Sequence, residues 1–140
     1  MKIFLPFETK GIGGTASFAL KFQNGMHKQG HEVFFRYRKD YDVLFLIVQA
    51  PFRYLLEAKR RKKQIVQRLD GTYYWSVASW KYPILNLKAK IIRHLFADFT
   101  VYQSEYSKYC ANKFLGKKRN EKSAIIYNGV DLKLFSPIGK

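Results

Sequence analysis

Only one cysteine, Cys110, occurs in the 140 residues. A lone thiol forms no disulfide within the chain and no cysteine metal cluster, and it suits a reducing compartment. Histidine is nearly as scarce. His27, His31 and His94 stand at no metal-ligand spacing, and neither a Ser-His-Asp order nor H-E-x-x-H occurs. Long apolar runs are missing too: Val43 to Val48 is too short to cross a bilayer. The opening "MKIFLPFETK" has neither the apolar core nor the small-residue cleavage site of a signal peptide. These absences point to a cytoplasmic protein with no metal and no cofactor. Acidic residues are few, 10 against 26 Lys and Arg, for a net charge of +16. That field favours anionic partners, whether nucleic acid, a membrane surface or phosphorylated substrates, and does not choose among them.

What is present is a chain fit for one ordinary domain, 47% hydrophobic and 17% aromatic, with ample material for a core. Strand patterns alternate with helix patterns. "KIFLPF" reads as a buried first strand, followed by the glycine loop "ETKGIGG". Thr15 is placed to cap a helix whose Phe18, Phe22 and Met26 share a face, with Gly30 as its stop. "HEVFFRY" is a second strand and Asp42 to Val48 a third, without polar alternation, as in a strand covered on both faces. A basic helix over Arg53 to Gln64, the strand "IVQRL" and the turn Asp70-Gly71 come next. A helix beginning near Pro83 carries the apolar stripe Ile84, Leu87, Ile91 and Leu95. "FTVYQ" is a fifth strand, Ser104 caps the helix holding Tyr106, Cys110 and Phe114, and "SAIIYN" is a sixth. The pattern predicts an α/β fold: a Rossmann-like open, mostly parallel six-stranded sheet with helices on both faces. Arg38 to Tyr41 is too short for a crossover helix. Either the second and third strands are not parallel neighbours, or the chain there runs extended beneath the sheet.

The candidate site residues lie where strands end. Gly11 to Gly14 follow the first strand and open a helix, where glycine lets a backbone approach a phosphate at the helix amino end; a plain strand-to-helix turn has the same form. "QRLDG" puts Arg68 and Asp70 at the carboxyl end of the fourth strand, the crevice edge of open α/β sheets. Asp70 could orient or deprotonate a hydroxyl and Arg68 pair with a phosphate, or the two could simply pair with each other in a turn. "DYD" at Asp40 to Asp42 looks like a metal-binding D-x-D but falls at the amino edge, as a solvated turn. Lys59, Arg60, Arg61, Lys62 and Lys63 form a run that reads as a solvated helix face or as a contact for an anionic membrane. The aromatic run "TYYWSVASW" suits core or lid packing.

In order, "GIGGTASF", "GHEV", "QRLDG", "YQSEYSKY" and "IIYNGVDLKLFSP" resemble the amino-terminal, acceptor-side half of GT-B glycosyltransferases of family 4, over Met1 to Pro137. The resemblance implies residues 1–137 as a Rossmann-like domain, 138–140 as the start of an interdomain linker, and a donor-binding domain supplied elsewhere. It implies retaining transfer of a sugar from a nucleotide-diphosphate donor to a sugar or lipid-linked acceptor, in a chain inactive by itself. By this resemblance Gly13 and Gly14 lie by the donor phosphates with Arg68. Asp70 falls near the reacting centre, and Thr15, Asn128 and Asp131 along the acceptor or interdomain cleft. Many relatives have histidine where Asp70 stands, the paired glutamates of the second domain have no counterpart here, and the link after the second strand is short. The alternative is a non-catalytic basic module holding an anionic membrane surface or, less well supported, nucleic acid.

Overall fold

The central strand grows from the apolar run at residues 43–48, which has no polar side to turn to water. In the computed structural model, which describes residues 1–7, 13–73 and 79–129, this run is β3 (Val43–Ile47), buried between two helical layers. The other strands are β1 (Lys2–Phe4), β2 (Glu32–Phe34), β4 (Gln64–Leu69), β5 (Phe99–Tyr102) and β6 (Ser123–Ile125). They form one sheet in the order β2-β1-β3-β4-β5-β6, every neighbouring pair parallel. The expected open, six-stranded parallel sheet is therefore the observed one. Its helices are α1 (Gly14–Lys28), α2 (Phe52–Arg60), α3 (Tyr82–Ile91) and α4 (Glu105–Phe114).

Strand alternation sorts the core into two faces. On one face, Ile3, Leu5, Val33 and Phe45 meet α1 through Phe18, Ala19, Phe22 and Met26. The Phe22 and Phe45 rings stack with centroids 4.6 Å apart. On the other, Phe4, Leu44, Leu46 and Ile65 pack on Leu55 and Ala58 of α2 and on Ile92, while Leu69 and Tyr102 pack on Ala89 of α3 and Ala111 of α4. The predicted i, i+4, i+8 face of α1 is thus its buried face. Gly30, at φ +77°, accepts the left-handed turn that follows the helix.

Both alternatives for the short link hold. β2 and β3 flank β1 and are not neighbours. The chain between them crosses one face without a helix, laying Tyr37 and Tyr41 against the Phe4 ring at 5.7 and 5.6 Å. Tyr41 is fully buried, so aromatic side chains fill the place of a crossover helix. "DYD" is a turn at the amino edge: Asp40 pairs with Lys2 and Arg38, whose hydrogen bonds hold its carboxyl well below the usual range.

One expectation is corrected. Thr15 is not the cap of α1. The N-cap is Gly13, no side chain caps the helix, and Thr15 stands within the first turn. The stripe Ile84, Leu87, Ile91 and Leu95 is not the core-facing side of α3. The helix turns Ala89 and Ile92 inward and leaves Ile84, Leu87 and Leu95 exposed. After Ile91 one π-helical turn (Ile92–Phe96) adds a residue and buries Arg93 next to Ile92. Arg93 meets both Glu121 oxygens, at 2.9 and 3.0 Å, and donates to the carbonyl of Gly116 at 2.6 Å and to Asn112 Oδ1 at 2.7 Å. Tyr102 also donates to Glu121, so one ion pair fastens α3, α4 and β5 to the loop before β6. Ser104 caps α4 as expected, accepting from the Ser107 amide at 3.0 Å in a capping box.

Candidate functional site

Parallel strands all present their carboxyl ends at one edge of the sheet, and the amino terminus of α1 opens at that edge. α1 packs chiefly on β1, β2 and β3 and reaches β4 through Phe18 over Arg68, and a cleft opens between the helix and the ends of β4, β5 and β6. It holds a cavity of about 740 Å³, lined among others by Gly14, Thr15, Lys21, Arg68, Asp70 and Asn128. Gly14, where α1 begins, and Asp70 of the β4 turn therefore line one crevice.

Its polar wall is a closed circuit. Arg68 Nη1 donates to Asp70 Oδ2 at 2.8 Å, and Nη2 donates to Asn128 Oδ1 at 3.0 Å. Asn128 Nδ2 donates to Gln103 Oε1 at 3.0 Å, and Gln103 in turn donates to the Asp70 carbonyl. Residues just beyond the ends of β4, β5 and β6 are thereby tied to one another. The Phe18 ring closes over the Arg68 guanidinium, 3.7 Å from centroid to carbon, which leaves Arg68 only 3% exposed.

Burial has opposite effects on the two charges. It lowers the Arg68 pKa, and it raises that of Asp70 although Arg68 pulls the other way. Asp70 Oδ1 lies 2.7 Å from Arg68 Nη1 as an ion-pair contact, but too poorly aligned to accept a hydrogen bond. Among the described residues this buried oxygen has no donor. A hydroxyl entering the cavity would supply one.

The helix end contributes the other half of the site. With Gly13 extended and no acidic residue in the first turn, the partial positive charge of the first α1 amides is not compensated by any of the described residues. A β-carbon at Gly14 would meet no atom within 4 Å, so the cavity wall is backbone there. Lys21 and Ser17 line the same side. Sequence reasoning missed Lys21, Phe18 and Gln103. Helical spacing carried a signal for two of them, since residues 14, 18 and 21 fall on one face of α1.

Gly11, Asp131 and most of "TYYWSVASW" lie outside the described residues. Lys59 to Lys63 stand at the opposite, amino edge of the sheet, where Lys59 pairs with Asp98 and Arg61 with Glu57. Among the described residues no cluster of His, Cys, Asp or Glu could hold a metal ion, and no helix is long and apolar enough to cross a membrane.

Solved structures share this fold. HepE from Anabaena in complex with UDP superposes with a TM-score of 0.59 at 18% identity, covering 97% of this chain and 46% of that one. HepE in complex with UDP-glucose gives a TM-score of 0.60 at 17% identity with the same coverage. The chain thus spans less than half the length of HepE. No family model and no curated protein matches it. At such identities the likeness is one of fold: the chain has the Rossmann-like architecture of one half of a GT-B fold.

Proposed function

We propose that this chain is the acceptor-side half of a nucleotide-sugar-dependent glycosyltransferase, acting with a donor-binding half on the same or another chain. One observation carries the reading: a single cavity joins the α1 amino end, which no described side chain caps, to the half-buried Asp70 carboxylate, whose Oδ1 accepts no hydrogen bond among the described residues. The helix end suits a diphosphate, with Gly13 and Gly14 permitting close approach and Lys21 adding a mobile positive charge. The carboxylate suits an acceptor hydroxyl. Arg68, enclosed by Phe18, Asp70 and Asn128, serves to position Asp70 and to lend the cavity positive charge.

Asp70 Oδ1 would accept the hydrogen bond of the incoming hydroxyl, and the raised pKa equips it to take a proton as the new bond forms. Thr15 and Asn128 border the acceptor side, and the expected retaining course needs the second half to hold the sugar. The UDP and UDP-glucose bound by HepE give the donor class support from the shared fold. Half a cleft neither closes over its donor nor excludes water, so transfer by this chain alone is not expected.

Titration of the chain with UDP-glucose, followed by amide chemical shifts, tests this. Perturbation centred on Gly14, Thr15 and Asp70 at millimolar ligand is expected. Shifts that leave all three untouched would overturn the site, and submillimolar affinity would overturn the half-site reading.

A further inference from the structure

The apolar stripe on α3 faces the wrong way for a core, and it continues beyond the helix. Trp80, Ile84, Leu87, Ile91 and Leu95 recur at intervals of three and four residues along one side. Trp80 is 65% exposed, Ile84 62%, Leu87 55% and Leu95 71%. Four large side chains in one exposed row are far more than the scattered surface leucines of an ordinary domain.

The row is bordered by cations: Lys81 and Lys88 on one side and Lys90 on the other. No acidic residue occurs between Lys81 and Ala97. Its neighbours extend the pattern. Lys88 lies over the Phe52 ring of α2 at 5.7 Å, and Leu56 on that helix is exposed. Across a groove of about 290 Å³ lined by Leu87 and Lys90, Phe114 of α4 is exposed with Lys113 beside it.

We infer that the α3 face is a docking surface for an anionic phospholipid bilayer, with the Trp80–Leu95 row entering the headgroup boundary and the flanking lysines meeting lipid phosphates. An in-plane amphipathic helix needs this combination of an apolar row and a basic border. A second copy of the chain fits poorly, because two such faces would set lysine against lysine at a net charge of +16 each. Nucleic acid would use the lysines but leave the aliphatic row without a partner. Arg93, which sequence places on this basic helix, is fully buried and takes no part. The surface stands on its own observations and does not depend on the transferase reading. Asn86 of α3 holds the backbone of Tyr73 through two hydrogen bonds, at 2.9 and 2.8 Å, which ties this helix to the chain just past Asp70.

Co-sedimentation of the whole chain with vesicles of phosphatidylglycerol and phosphatidylcholine, against phosphatidylcholine alone, is the test. Binding to the anionic vesicles is expected to exceed binding to neutral ones at least tenfold and to weaken with salt. Because the row is exposed, Ile84→Ser with Leu87→Ser and Leu95→Ser leaves the fold intact by circular dichroism. This variant is expected to lose at least tenfold in partition. Lys81→Gln with Lys88→Gln and Lys90→Gln is expected to do the same, whereas Arg60→Gln with Lys62→Gln at the amino edge costs less than threefold. The inference is overturned if the serine variant partitions like the native chain or if both vesicle types bind equally. It is also overturned if the native chain forms a dimer that the serine changes dissolve, or if duplex RNA outcompetes the vesicles.

Discussion

At Asp70 a half-buried carboxylate lies beside Arg68 while one of its oxygens has no donor among the described residues, so Asp70→Asn acts on two quantities at once. It gives Arg68 a neutral partner but also removes a charge that burial penalises, so stability in urea denaturation should change by no more than about 1 kcal/mol. In a protein carrying both halves it should also lower kcat, by on the order of a hundredfold, with KM for the donor nearly unchanged. A loss of stability with full turnover would reduce Asp70 to a turn residue. Gly14→Val asks the complementary question. Open space at the β-carbon and the similar helix costs of the two residues leave stability within about 0.5 kcal/mol. The added methyls stand where a phosphate would approach the helix end, so the donor KM should rise tenfold or more. Gly14, Asp70 and Asn128 were legible because each follows a strand or opens a helix, and parallel topology carries such positions to one edge. The circuit through Gln103 and the Phe18 lid were not legible, because they depend on how α1 leans on the sheet.

For elements, the instructive case is α3. Its apolar stripe is plain in sequence, but periodicity reports only that a helix has two sides, never which side the sheet receives. Small Ala89 lets the helix lie close to Leu69 and Tyr102, and the π turn then swings Ile92 inward together with Arg93. A one-residue shift in the hydrogen-bond ladder has no compositional signature. The Arg93–Glu121 pair it creates makes a definite prediction. Glu121→Gln leaves a buried guanidinium uncompensated and should cost about 3–5 kcal/mol. The two arginine-paired carboxylates also respond oppositely to acid. Burial disfavours ionised Glu121, but Arg93 and Tyr102 outweigh it and lower its pKa below the ordinary 4.5. Its stabilising contribution is complete above about pH 4.5 and is lost as the pH falls through the folded-state value. Asp70 is raised above 3.8, chiefly by burial, so its contribution is greatest in acid and is lost as the pH rises through its folded-state value. Across pH 3 to 7, the native chain should therefore lose its advantage over Glu121→Gln as the solution is acidified, and gain relative to Asp70→Asn. Two urea midpoint series that moved in the same direction would contradict these assignments.

The molecule as a whole is a sheet in which no two consecutive strands form a hairpin. Lys2 lies opposite Glu32, Ile3 opposite Val43, and every other pairing likewise joins distant parts of the chain. Each contact must close a long loop before it returns any free energy, so refolding should be slow, in about the millisecond-to-second range. Order of assembly follows from strand position. β3 and β4 share the longest register and sit at the middle, so the nucleus belongs there, whereas three-residue β6 at the margin joins late. Leu44→Ala should mainly retard refolding, and Ile125→Ala should mainly hasten unfolding. Stopped-flow fluorescence in urea would separate the two limbs. A single microsecond phase, or the reverse pattern in these two variants, would mean that the chain condenses from its helices rather than from the middle of its sheet.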